Sequence, residues 1–262
     1  MTRVISGVLL AAAAVAAVWF LPLTGVRLLA CAVAALAARE YLALVHPERR
    51  PPQPVPVILL VVIACWWISD PVRRGLLPLL LLALGWLAIE VVFRGFAVDR
   101  AAARFLALWY IGMPLGMLAA VQSMGGHLAT LLLMTTVVVS YTAQYYSGRM
   151  LGTRLLAPAI SPKKTVEGAF GGLVGAAVFM ALAGVAVLPD ASRVSLAVVG
   201  IAIGLLGICG DLFESRLKRI AGVKDSGTLI PGHGGVLDRI DALLFAIPAF
   251  YVYLAVTSVF TL

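Results

Sequence analysis

Charge is scarce in this sequence. Only 12% of its 262 residues are Asp, Glu, Lys or Arg, where a soluble domain carries roughly a quarter. With 62% hydrophobic residues and a mean hydropathy of +1.05, a water-soluble globular domain is excluded and the chain belongs in a bilayer. Cysteine is also sparse. Cys31, Cys65 and Cys209 lie in or beside apolar runs without paired or metal-like spacing, which argues against a disulfide framework or a zinc site. Acidic residues number twelve against twenty basic ones, a net charge of +8. The basic residues are scattered through short gaps between apolar runs, so they are read as topology determinants and phosphate contacts rather than as a nucleic-acid surface.

What is present is a succession of apolar runs. About 20 helical residues cross a 30 Å hydrocarbon layer, and on that measure nine segments emerge. They are Val4–Leu21, Val26–Val45, Val55–Ser69, Gly75–Phe93, Phe105–Gln122, Leu128–Tyr146, Gly168–Leu188, Val194–Phe213 and Ala242–Phe260. The first has an apolar run longer than a signal-peptide core and no small-residue cleavage site after Leu21, so it is read as a retained helix. Taken by alternate gaps and the segment ends beside them, sixteen of the twenty Lys and Arg residues fall on one side, with only Arg27, Arg73, Arg74 and Arg193 on the other. By the positive-inside rule this predicts a cytoplasmic N-terminus and an outside C-terminus. The expected fold is an all-α polytopic integral membrane protein of about nine transmembrane helices. Residues 1–125 form its scaffold and 126–262 its catalytic core, integrated as one membrane domain. Gly168, Gly172 and Ala176, and Gly200, Gly204 and Gly207, are spaced for close helix packing.

The first five segments hold few ionisable residues away from their ends, so chemistry is sought after residue 140, in the gaps 147–167 and 211–241 on the expected cytoplasmic face. Residues 210–241 place Asp211, Glu214, Asp225, Asp238 and Asp241 among basic residues and His233. If the eighth helix continues through Arg219, then Asp211, Glu214, Ser215 and Lys218 share one face. Carboxylates near membrane depth need a partner, and Mg²⁺ suits because it combines one or two carboxylates with substrate phosphates. The glycines around His233 can bring backbone amides close to phosphate oxygens, ahead of a helix that starts near Asp238-Arg239-Ile240-Asp241. In SPKKTVEG, Ser161 is expected to cap a helix with Pro162 at its first position, projecting Lys163, Lys164 and Thr165 toward an anion. Gln144, Tyr145, Tyr146, Gly148 and Arg149 end the sixth segment at the same face, as interfacial aromatics commonly do.

Residues Ser215–Asp241, with SRLKR, KDSG, PGHGG and LDRID in fixed spacing, together with GDLFES and ISPKKTVEGAFGG, resemble the phosphatidate cytidylyltransferase (CDP-diacylglycerol synthase) family over residues 140–250. The resemblance implies transfer of the cytidylyl group of CTP to phosphatidate, giving CDP-diacylglycerol and pyrophosphate. It implies Mg²⁺ as cofactor, a homodimer and a membrane-lipid partner, while the lone compact core suggests a bacterial inner membrane. Carried onto this chain, Asp211 and Asp238 would bind the metal, with Lys218 and Asp241 beside them in the catalytic group. Ser161, Lys163, Lys164, Thr165, Ser215, Arg219, Lys224, Asp225, His233, Gly234, Gly235 and Arg239 would bind substrate phosphates. One position departs from the family pattern, since Tyr141 stands where members commonly carry an aspartate. That leaves a divergent paralogue as the alternative: another acceptor lipid, a CTP-dependent lipid kinase or an inactive relative. A transporter is disfavoured, because charge crowds one face instead of the helix middles.

Overall fold

The computed structural model describes residues 2–46, 54–70, 76–230, 232 and 234–260. Their backbone forms α1 (Thr2–Phe20), α2 (Leu23–Val45), α3 (Val55–Ile68), α4 (Leu77–Ala88), α5 (Val98–Ala107), α6 (Met113–Leu151), β1 (Leu155–Ala157), β2 (Ser161–Thr165), α7 (Val166–Val187), α8 (Arg193–Ile220) and α9 (Leu237–Phe260). Single π-helical turns at Ile89–Phe93 and Leu108–Gly112 follow α4 and α5. Five stretches among the described residues are long and apolar enough to cross a membrane: Leu23–Val45, Val98–Leu151, Val166–Val187, Arg193–Ile220 and Leu237–Thr257. The chain is therefore a helical integral membrane protein, with one short hairpin and an isolated bridge between Ile230 and Gly234 among the described residues. Gly7–Phe20, Val55–Ile68 and Leu77–Phe93 are apolar but shorter. Two of the expected segments merge into the 54-residue stretch, which is interrupted at Gly126, where φ is 72° and ψ is −175°. Only glycine adopts that conformation without strain. Arg49, Arg50, Arg73 and Arg74, which enter the charge argument, lie outside the described residues.

The chain divides into two compact units, Met1–Ser123 with Ile220–Arg239, and Met124–Arg219 with Ile240–Leu262. In the first, α2 packs on α3 and α5 around small buried residues such as Ala34, Ala37, Ala38 and Ala64. Tyr41 anchors the end of α2, its hydroxyl donating to the carbonyl of Ala103 at 2.8 Å and its ring meeting that of Tyr110 edge-on. Glu90 and Arg104 form an ion pair of 2.7 Å with side chains 0% and 1% exposed. A lone charge at that depth would be costly, and each member neutralises the other.

In the second unit, glycines set the helix spacing. A Cβ on Gly200 of α8 would lie 2.5 Å from the carbonyl oxygen of Ala176 in α7, and one on Gly172 of α7 would lie 3.0 Å from the carbonyl oxygen of Ser140 in α6. Backbone therefore packs on backbone, as the small-residue spacing predicts. At Gly207 and Gly210, α8 meets the first turns of α9 beside Ala242 and Asp241.

The segment before α7 corrects one expectation. Ser161–Thr165 is a β-strand paired antiparallel with Leu155–Ala157, and Thr165, not Ser161, caps the helix, its Oγ1 accepting the amide of Gly168 at 3.1 Å. Serine and threonine hydroxyls can both cap a helix. The hairpin decides between them, because register pairing of Leu155 with Thr165 and Ala157 with Ser161 keeps residues 161–165 extended. Glu167 clamps the far strand's approach, accepting from the Thr153 amide at 3.1 Å, the Thr153 hydroxyl at 2.8 Å and the Arg154 amide at 3.2 Å.

Candidate functional site

Two polar clusters are built from the residues singled out by sequence, one in each unit. The cluster of the second unit lies between the end of α6, the hairpin and α8. Strand β2 presents Lys164 to α8, where its Nζ is 2.5 Å from Asp211 Oδ2, with side chains 12% and 14% exposed. Asp211 Oδ1 takes the hydroxyl of Ser215 at 3.3 Å, and Lys218 donates to Glu214, whose side chain is 0% exposed. Because α8 continues to Ile220, these are i,i+4 pairs along one polar stripe, as the helix-face expectation required. Asp241 follows on α9, its Oδ1 taking the amide of Ala242 at 2.7 Å, within electrostatic reach of Asp211, Lys164 and Lys218.

This cluster opens into a cavity of about 550 Å³ lined by Ser161, Lys163, Lys164, Thr165 and Asp211 together with Tyr141, Gln144, Tyr145, Gly148 and Arg149. The size suits a small phosphorylated molecule. Two lysines and an arginine at its wall favour an anion, because charged donors of this kind bind phosphate oxygens strongly. The end of α6, whose pattern reads by itself as an interfacial belt, forms a wall of the cavity. Gly148 is required there because a Cβ would lie 2.9 Å from Thr165 Oγ1.

The cluster of the first unit is built around Asp238. Its Oδ2 accepts the Ser226 amide at 2.8 Å, the Ser226 hydroxyl at 2.9 Å and the Gly235 amide at 2.8 Å. The loop between α8 and α9 is thereby folded onto the first turn of α9. Gly234, at φ +81°, closes it through the Ile230 amide bond to its carbonyl. A residue missed by sequence reasoning completes the cluster: Glu40, near the end of α2, accepts the amides of Val236 at 3.0 Å and Leu237 at 2.8 Å and the Ser226 hydroxyl at 3.1 Å. A carboxylate within a mainly apolar span, beside Arg39, is its one signal in the sequence. Arg219, Lys224, Asp225 and Arg239 are exposed, while His233 lies outside the described residues.

Among the described residues no group of three or more His, Cys, Asp or Glu side chains converges as a metal cage. Mg²⁺ does not need one, since it keeps waters and takes phosphate oxygens beside one or two carboxylates. Asp211 fits that role chemically: it is a hard oxygen donor at the wall of the anion-favouring cavity, paired with a lysine that a phosphate could draw away.

Comparison with known proteins agrees with the motifs. A family model described as "Cytidylyltransferase family" matches residues 1–257. The chain is 41% identical over 138 residues to the uncharacterized protein YnbB of Escherichia coli (strain K12), covering 53% of this chain and 46% of that protein. It is 38% identical over 165 residues to "Phosphatidate cytidylyltransferase" of Bacillus subtilis (strain 168), covering 62% and 61%. It is 33% identical over 192 residues to the protein of the same name in Staphylococcus saprophyticus, covering 73% of each. The alignments thus span about half and three fifths of the length of the first two relatives.

Proposed function

The chain belongs to the cytidylyltransferase family, and from that membership we propose that it transfers the cytidylyl group of CTP to phosphatidate, releasing pyrophosphate and leaving CDP-diacylglycerol in the membrane. The observation that carries the reading is the cavity walled by Lys163, Lys164, Arg149 and Asp211, an anion site attached to apolar helices. Relatives named for this reaction cover most of the chain, so Tyr141 does not favour the divergent-paralogue alternative.

In the reaction a phosphate oxygen of phosphatidate attacks the α-phosphorus of CTP. The new P–O bond forms as the bond to the bridging α–β oxygen breaks, and pyrophosphate leaves with the electron pair. Such a transfer asks for positioning and charge neutralisation more than for a covalent nucleophile. Ser161, Lys163, Lys164 and Thr165 hold the triphosphate from β2, and Lys164 moves from Asp211 to phosphate as substrate enters. Lys218, oriented by buried Glu214, neutralises charge beside Asp211 and Asp241. Ser215, Arg219, Lys224, Asp225, His233, Gly234, Gly235 and Arg239 complete the substrate-binding set, with Gly234 and Gly235 shaping the loop that leads to Asp238 in the first turn of α9. Asp211 and Asp238 would hold Mg²⁺, which when bound neutralises the triphosphate and polarises its oxygens.

The finer architecture belongs to the same proposal: nine spans, a cytoplasmic N-terminus with the active site at the cytoplasmic face, a homodimer and a bacterial inner membrane. The charge distribution between apolar runs supports the orientation. The test is CDP-lipid and pyrophosphate formation by the purified protein in detergent with phosphatidate and Mg²⁺. CTP is expected to support turnover where ATP, GTP and UTP do not, and Asp211→Asn is expected to abolish it. A folded protein that forms no product from CTP would overturn the assignment.

A further inference from the structure

The loop leading into α9 is fastened by a side chain almost two hundred residues away in sequence. The carboxylate of Glu40 takes both the Val236 and Leu237 amides, the leading donors at the start of α9, and one hydroxyl, that of Ser226. That same hydroxyl lies 2.9 Å from Asp238 Oδ2. A serine hydroxyl has a single proton, so Ser226 links the two carboxylates as one shared donor, and moving either acid disturbs the other. The loop leaves no slack around Glu40. A Cβ on Gly227 would lie 2.7 Å from Glu40 Oε1, and one on Gly235 would collide with Glu40 Oε2 and Ser226 Oγ. Two glycines of the motif KDSG…PGHGG are thus explained by the carboxylate they wrap. A negative group suits the place, since the first amides of α9 carry the positive end of its dipole.

We propose that Glu40 is a positioning residue for the cytidylyl transfer, fixing the orientation of Asp238 through Ser226 and the first amides of α9; this rests on the function proposed above. It acts through Asp238 without touching substrate. A glutamine keeps the size but replaces one acceptor by an NH₂ group that must face an amide or hydroxyl donor, so Asp238 loses its fixed support while the phosphate cavity is unaltered.

The experiment uses the full-length protein in detergent and compares wild type, Glu40→Gln, Ser226→Ala and the double variant by kcat, by KM for CTP, and by the rate of tryptic cleavage after Lys224, which is exposed in the same loop. For Glu40→Gln the expected result is a kcat lower by about tenfold or more, as misplacement of a reacting group produces, a KM for CTP within about threefold, and faster cleavage after Lys224. The double variant is expected to lose no more kcat than the worse single one, because residues in one network are not additive. If Glu40→Gln does not fold, Glu40→Asp, which keeps the charge and shortens the reach, carries the same comparison. Unchanged kcat in the Glu40 variant, or losses that multiply in the double variant, overturns the proposal. A wild-type chain that makes no CDP-lipid overturns the parent function instead, an outcome distinct from equal turnover by wild type and variant.

Discussion

At the scale of single residues, the two lysines of SPKKT are separated by what they touch. Lys164 is three-quarters or more enclosed and meets Asp211, whereas Lys163 is exposed on the next position of the strand. Lys164→Ala removes a preorganised charge and is expected to lower kcat by about a hundredfold or more, the size seen for loss of one such stabilising group. Lys163→Ala is expected to lose less than about tenfold, acting mainly on KM for CTP, because an exposed cation is screened by water. Steady-state kinetics at varied CTP separates the two, and equal losses would contradict the assignment. Lys164, Asp211 and Asp238 were legible in the sequence, because charge in an apolar chain is itself a signal. Glu40 was not singled out, because nothing local distinguishes a helix-end carboxylate that faces solvent from one that caps another helix.

At the scale of elements, the glycines and the buried ion pair make opposite demands. At Gly200 an added methyl meets the backbone of α7, which cannot yield, so Gly200→Ala is expected to destabilise by about 1–3 kcal/mol. Gly85 of α4 has open space at its Cβ position, and there Gly85→Ala is expected to be neutral or stabilising by up to about 1 kcal/mol. Thermal unfolding in detergent reads both, and the expectation fails if the two shifts share a sign. Glu90 and Arg104 are both fully buried. Glu90→Leu alone removes the carboxylate that faces the buried Arg104 guanidinium and is expected to cost about 3–5 kcal/mol, while the Glu90→Leu/Arg104→Met pair is expected to recover most of that loss. The hairpin shows why local signals run out: Ser161-Pro162 reads as a helix start, and only the pairing of β1 with β2 moves the cap to Thr165.

At the scale of the whole molecule, the lysine and arginine distribution predicts that the β1–β2 turn and the α7–α8 connection lie on opposite sides of the bilayer. In a chain whose own cysteines are replaced, Ala159→Cys is expected to react with an impermeant maleimide only after cells are permeabilised, and Asp190→Cys in intact cells. Both positions are exposed, and labelling of both from one side would sink the orientation. Membrane residence and helical class were determined by the sequence itself, because a hydrocarbon solvent forces every backbone amide into internal hydrogen bonds and so turns long apolar runs into helices. The motifs likewise determined the family to which the chain belongs, since charge survives in such a chain only where it is paired or used. The tertiary structure alone decided the partners: that the loop before α9 folds with the N-terminal helices, that Glu40 of α2 holds it, and that Lys164 reaches Asp211 from a strand. Those pairings join residues from tens to almost two hundred positions apart, and no local periodicity or propensity encodes a contact whose two halves belong to different elements.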